Sequence, residues 1–158
     1  MNAQKKDDFL VLVADDSHDD RRLVKLAMRR ATRMKIIAEM STGGQVIDYL
    51  DGRAHFSDRE RFPLPDLLLM DLKMPQQDGF EVLEWLHTQP FEKLTVVVLT
   101  DSMNPAHIKR ALDLGADLFQ VKPKATHDRE AMILALEEYL LRPAHSPAHH
   151  PHSAVSAA

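Results

Sequence analysis

The sequence predicts an α/β domain: a five-stranded, parallel, doubly wound sheet flanked by five helices. Three observations predict it. Between Phe9 and Arg142, short apolar runs of strand length alternate five times with stretches of helical period. The runs are apolar throughout rather than at every second residue, as in strands covered on both faces. Polar residues able to carry chemistry collect where the runs end, which is where open parallel sheets place their sites.

The first strand is Phe9-Leu-Val-Leu-Val-Ala14, and it stops at Asp15-Asp16-Ser17. From His18 to Thr32, Leu23, Leu26, Ala27 and Arg30 recur at helical spacing. Asp19 and Asp20 fall in the first turn of that helix, where its dipole favours acid. Lys35–Met40 is a second strand, and Gly43–Leu50 a second helix with Val46, Ile47 and Leu50 on one side. Asp51 to Pro65 turns polar, carries two prolines and predicts a long loop. Leu67–Met70 is a third buried strand ending at Asp71, followed by a helix from Gly79 to Thr88 with Val82, Leu83 and Leu86 inward. The β-branched run Leu94–Leu99 is a fourth strand. Asn104-Pro105 opens a helix, as cap then proline, and Gly115 closes it. Leu118–Val121 is the fifth strand, and Thr126 is expected to cap a last helix ending before Pro143.

Composition narrows the function classes. Of the 158 residues, 28% are charged and 44% hydrophobic, a soluble globular mixture. No apolar run approaches the roughly 20 residues of a membrane span, and the start MNAQKKDDF lacks the features of a signal peptide. The absence of cysteine excludes disulfides, thiolate metal sites and a thiol nucleophile, and fits a cytoplasmic protein. A net charge of −4 disfavours a dedicated nucleic-acid binder. Residues 1–7 read as an N-terminal extension, 8–142 as the domain, and 143–158 as a disordered tail of Pro, Ala, His and Ser with a single Val. The tail's His145, His149, His150 and His152 are expected to be solvated, and His18, His55, His87 and His107 show no ligand spacing.

Strand 1 ends in Asp15-Asp16, strand 3 in Asp71, strand 4 in Thr100 and strand 5 in Lys122-Pro123; strand 2 ends in Met40-Ser41 with nothing comparable. Placing strand 2 outside strand 1 gives the order 2-1-3-4-5 and brings all these groups to one rim. Three clustered carboxylates stay ionised only around a cation. An all-oxygen set favours Mg²⁺, with Asp16 and Asp71 as direct ligands, Asp15 direct or through water, and a backbone carbonyl just after Asp71 as a further ligand. Lys122 offers a compact positive charge for a phosphate and Thr100 a hydroxyl. Such a group suits phosphoryl transfer onto a carboxylate. Blander readings stand beside this one. Asp15 and Asp16 could cap the next helix, Thr100 could be structural, and the Lys122-Pro123 bond is a candidate cis peptide.

Four stretches carry a family resemblance: Val11-Leu-Val-Ala-Asp-Asp16, Leu68-Leu-Met-Asp-Leu-Lys-Met-Pro75 with Asp78-Gly79, Val97-Val-Leu-Thr100, and Gly115-Ala-Asp-Leu-Phe-Gln-Val-Lys-Pro123. Over residues 8 to 142 the chain resembles a two-component response-regulator receiver domain of the CheY type, whose flavodoxin-like fold has that strand order. The resemblance implies Asp71 as phospho-acceptor, Asp15 and Asp16 as the acidic Mg²⁺ pair, and Lys73 as the residue whose carbonyl completes the metal site. It implies Thr100 and Lys122 as phosphate contacts and Phe119 as a switch aromatic, a residue otherwise read as a partly buried strand position. The long loop before Asp71, Asp19-Asp20 and the lack of an output domain are similar to stand-alone regulators of bacterial and cyanobacterial phytochrome kinases. The expected function is a single-domain regulator, not a turnover enzyme. It takes a phosphoryl group from a sensor histidine kinase, switches the face of helix 4, strand 5 and helix 5, and by analogy forms a homodimer there, with no nucleic-acid or membrane partner. Asp101 departs from the small residue usual after the threonine and is expected to face solvent. The alternative is a receiver-fold interaction protein that works without phosphorylation. An aspartyl hydrolase fits less well, because Lys73 stands where its second acid is needed.

Overall fold

The computed structural model describes residues 8–143, so the N-terminal extension and the His-rich segment 144–158 lie outside the described residues. In chain order the elements are β1 (Phe9–Ala14), α1 (His18–Met28), β2 (Met34–Met40), α2 (Gly43–Asp51), a 3₁₀ turn (Ala54–Ser57), β3 (Leu67–Asp71), α3 (Gly79–His87), β4 (Thr95–Thr100), α4 (Pro105–Asp113), β5 (Leu118–Val121) and α5 (Thr126–Leu141). The strands are all parallel and form one sheet in the order β2-β1-β3-β4-β5. That is the expected fold.

Because strand side chains alternate between faces, each apolar run feeds two cores. Leu12, Leu68, Met70, Val96 and Val98 pack on one face with Val46 and Leu50 of α2 and Val82, Leu83 and Leu86 of α3. Val11, Val13, Leu67, Leu69, Val97 and Leu99 pack on the other with Val24 and Ala27 of α1 and Ile133 and Leu136 of α5. Each such Leu or Ile gains about 1.5–3 kcal/mol from leaving water. The same parity decides which side of the sheet each rim residue faces. Asp15, Asp71 and Asp101 continue the α1/α5 series, while Asp16 and Thr100 continue the α2/α3 series.

Several expectations are corrected. α1 ends at Met28, not Thr32, because the amides of Arg29, Arg30 and Ala31 bond three residues back, to Leu26, Ala27 and Met28, and tighten the last turn. Its buried stripe is Val24, Ala27 and Met28, while Leu26 is exposed. Thr126 does not cap α5. Ala125 holds that position without a side-chain bond, since Thr126 is already helical, and Asp128 supplies the favourable first-turn charge. The described residues hold no cis peptide bond, so Lys122-Pro123 is trans. The polar loop after α2 is more built than its composition suggests. Phe56 and Phe62 pack on Tyr49, and Arg59 donates to the carbonyls of Tyr49 at 2.9 Å and Leu50 at 2.8 Å, closing the end of α2. Among the described residues no helix is long and apolar enough to cross a membrane.

Candidate functional site

The site is assembled at the carboxyl ends of β1, β3, β4 and β5. Asp15 leaves the sheet immediately after β1, where its Oδ1 accepts from the Ser17 amide at 2.9 Å. Ser17, not either aspartate, caps α1, accepting from the Asp20 amide at 3.1 Å. The capping role is therefore filled, and Asp15 and Asp16 are left to the rim. Arg21, one turn into α1, donates to the Asp15 carbonyl at 2.6 Å and fixes the backbone from behind. Asp71 closes β3 opposite Leu99, buried, with its Oδ1 accepting from the Lys73 amide at 3.3 Å. Behind it, the Gly79 amide donates to the Leu72 carbonyl at 2.8 Å, which seats the start of α3 directly on the backbone of the acceptor strand.

Lys122 sits at the centre. Its amide donates to the Thr100 carbonyl at 2.8 Å, which anchors the residue to the end of β4. Its Nζ lies 2.6 Å from Asp15 Oδ2, 2.8 Å from Asp20 Oδ2 and 3.0 Å from Asp71 Oδ2, with the side chain only 11% exposed. Burial pulls the Lys122 pKa down, but the three carboxylate bonds outweigh it and hold the ammonium above the ordinary lysine range. For Asp71 the balance is reversed. Burial pushes its carboxyl up, and the Lys122 bond and charge and the Lys73 amide offset only part of that. Asp15 is likewise pushed up by burial, against Lys122 and the Ser17 amide.

Carboxylate oxygens of Asp15, Asp16 and Asp71 lie within 4.8 Å of one another. Ligands bound to one Mg²⁺ at its usual 2.0–2.1 Å are at most about 4.2 Å apart. Side-chain rotation must close the cluster onto an ion, and the all-oxygen donor set, with Asp15 and Asp71 buried and Asp16 exposed, suits a hard divalent cation.

Cavities flank the rim on its two sides. One of about 230 Å³ is lined by Asp15, Asp20, Asp101, Lys122 and Arg129. The other, of about 580 Å³, is lined by Asp16, Lys73, Thr100, His107 and Arg110. The expected site residues are thus brought to one rim but divided between its sides. Thr100 is buried, and its Oγ1 accepts from the Ser102 amide at 3.3 Å. The Lys73 side chain is exposed. Phe119 is half-buried against the core on the α2/α3 face, as its strand position predicts. Asp101 is exposed, as expected, but it also lines the cavity on the Lys122 side rather than facing solvent alone. Sequence reasoning missed Asp20 and Arg21 as parts of the site. Asp20 was visible as a favourable first-turn charge and as half of the Asp19-Asp20 pair, and neither signal placed it against Lys122.

A parallel 2-1-3-4-5 sheet whose carboxyl rim sets an ammonium against a buried, strand-ending aspartate has the arrangement of a signal receiver domain. Residues 11–134 match the response regulator receiver domain, and the chain belongs to that family. It is 28% identical over 140 residues to response regulator Rcp1 of Synechocystis, spanning 88% of this chain and 93% of the relative. Among solved structures it is similar to the phosphorylated cyanobacterial phytochrome response regulator RcpA, with a TM-score of 0.76, 26% identity, and 89% and 99% of the two chains covered. It is also similar to the response regulator RPA3017 in red light signalling of R. palustris, with a TM-score of 0.78, 31% identity, and coverage of 87% and 97%. The Mn²⁺-bound form of Rcp1 aligns with a TM-score of 0.74 at 28% identity, over 88% and 99% of the two chains.

Proposed function

We propose that this receiver domain accepts a phosphoryl group on Asp71 from the phosphohistidine of a sensor histidine kinase, with Mg²⁺ held by Asp15, Asp16, Asp71 and the Lys73 carbonyl. The observation that carries the reading is the Lys122 ammonium, 3.0 Å from Asp71 and within the same acidic rim. In the transfer, the phosphorus–nitrogen bond to imidazole breaks as a phosphorus–oxygen bond to one Asp71 carboxylate oxygen forms. The imidazole leaves with the electron pair. The chain's part is positioning and charge. Lys122 donates to a phosphoryl oxygen. Thr100 Oγ1, already accepting from Ser102, keeps its hydrogen for another. The Lys73 amide fixes the Asp71 carboxylate through Oδ1. When bound, Mg²⁺ neutralises charge that spreads over the phosphoryl oxygens.

The product acts by biasing two states of the domain. Thr100 moves toward the new dianion, and Phe119, half-buried on the α2/α3 face, follows. The face of α4, β5 and α5 then changes. Leu112 of α4 and Val121 of β5 are exposed there, and we place the homodimer contact on that edge. The similarity to RcpA and RPA3017, regulators of phytochrome and red-light signalling, supports a phytochrome-type kinase as donor. We place the protein in the cytoplasm from its cysteine-free composition. The chain is a stoichiometric acceptor rather than a turnover enzyme. With Mg²⁺ and acetyl phosphate, the wild type gains one phosphoryl group by intact mass, and Asp71→Asn gains none. Equal labelling of both overturns the assignment, and labelling of neither favours a phosphorylation-independent interaction protein.

A further inference from the structure

An ammonium has three N–H donors and no acceptor, and at Lys122 each donor meets a different carboxylate: Asp15, Asp20 and Asp71. The three acids are not equivalent. Asp15 and Asp71 hang from strand ends and belong with Asp16 to the cluster sized for a cation. Asp20 stands outside that cluster, in the first turn of α1, where its amide is fixed by the Ser17 cap. Its carboxylate is 35% exposed, while those of Asp15 and Asp71 are buried.

Building on the phospho-acceptor reading, we infer that Asp20 is a positioning residue, which keeps Lys122 aimed across the rim when Asp15 turns to the cation and Asp71 to phosphorus. At equal distance a divalent ion attracts a carboxylate twice as strongly as an ammonium does. Binding of the cation would therefore draw Asp15 from Lys122, and acyl phosphate formation uses one of the two Asp71 oxygens. Asp20 is the partner that neither event claims. Without it, a lysine on a flexible four-carbon stem loses its fixed partners as the chemistry begins. The cavity of about 230 Å³ beside it gives the side chain room to leave the rim, and Asp101 on that cavity's wall offers a competing carboxylate. Asp20 also compensates the charge of Lys122, so Asp15 and Asp71 are freer to bind a cation when Asp20 is present. Asp19 is a built-in control. It lies in the same turn with the same charge, is 91% exposed, and approaches His18 at 3.9 Å rather than Lys122.

The test compares wild type, Asp20→Ala, Asp20→Glu and Asp19→Asn. Labelling by acetyl phosphate is followed at saturating Mg²⁺, Mg²⁺ affinity by calorimetry, and the Lys122 ammonium by ¹⁵N spectroscopy of the Mg²⁺-loaded protein. Asp20→Ala is expected to slow labelling about tenfold, the scale of one lost charge-assisted bond. It is also expected to weaken Mg²⁺ binding a few-fold and to remove the protected ammonium signal. Asp20→Glu restores part of the rate and the signal, and Asp19→Asn stays within about twofold of wild type in every readout, since a fully solvated charge is screened. The inference is overturned if Asp20→Ala labels at the wild-type rate with the ammonium signal intact, or if Asp19→Asn loses as much as Asp20→Ala. Failure of the wild type to label would overturn the phospho-acceptor reading instead, and the ammonium signal would still decide whether Asp20 holds Lys122.

Discussion

A Cβ on Gly79 would lie 2.7 Å from the carbonyl oxygen of Asp71 and 2.8 Å from the Cα of Leu72. Both are backbone atoms of the acceptor strand and its exit, so they cannot yield as the tip of a side chain can. Gly79→Ala must therefore push α3 away or displace Asp71. We expect a loss of about 1–3 kcal/mol in urea unfolding, together with slower acetyl phosphate labelling. Wild-type behaviour in both measurements would refute the contact. At this scale legibility was uneven. Asp15, Asp71, Thr100 and Lys122 could be found because each terminates an apolar run, so strand position alone brings them to the rim. Asp20 and Arg21 could not be placed, because their roles depend on how the first turn of α1 faces the sheet. Thr126 misled because a capping residue type one position inside the helix looks the same in sequence as one at the cap. Gly79 was visible only as half of the Asp78-Gly79 pair, and its reason is a tertiary contact.

Among the elements, the strands were legible almost to the residue. Both faces are covered, so each strand is a closed apolar word bounded by polar ones. The helices were legible at their starts, where Asn104-Pro105 and Asp78 act through local bonds. Their ends and buried faces were less so, because packing against the sheet sets them. α4 shows the consequence for dynamics. Only Ala111 is buried within it, whereas α5 buries Met132, Ile133, Leu136 and Leu140 and is tied through Glu137 to the Arg33 amide at 2.9 Å. α4 is held to α3 by His107, edge-on to the Phe80 ring at 5.5 Å, and by Arg110, 2.7 Å from Glu84 and 4.3 Å above the same ring, an exposed pairing worth about 1 kcal/mol. Local opening follows burial, so amides of α4 should exchange with deuterium well before those of α3 or α5. Arg110→Ala should speed α4 exchange a further few-fold and leave α5 unchanged. Equal protection of α4 and α5 would contradict this account.

Over the whole molecule, the core of the described residues is apolar, and its buried Asp15 and Asp71 gather at the carboxyl end of the sheet, while buried Glu137 holds the Arg33 amide at the other end. The order 2-1-3-4-5 was legible because it sets the strands that end in Asp15, Asp71, Thr100 and Lys122 side by side with Met40-Ser41 outside them, and because it is a known order of such sheets. The concentration has a cost. Asp15, Asp20 and Asp71 face the single ammonium of Lys122, with Asp16 beside them in the acidic cluster, and burial raises the pKa of Asp15 and Asp71 in the folded state. A carboxyl whose folded pKa is raised holds its proton more tightly folded than unfolded. Its destabilising effect is therefore full above the raised value and absent below the ordinary carboxylate value. In the absence of metal, the wild type should gain stability as pH falls from 7.5 toward 5, and the gain should be smaller in Asp71→Asn. At pH 7.5 that variant should itself melt about 2–4 °C higher than wild type, for about 1 kcal/mol of relieved charge burial. Mg²⁺ should do for the wild type what the substitution does for the variant. At ten times its Kd it adds about 1.4 kcal/mol, a comparable rise in Tm that Asp71→Asn largely loses. Melting curves with and without Mg²⁺ at the two pH values decide the matter. A wild type that is least stable at pH 5, or a Mg²⁺ response untouched by Asp71→Asn, would show that the rim is not the strained and cation-seeking end of the fold.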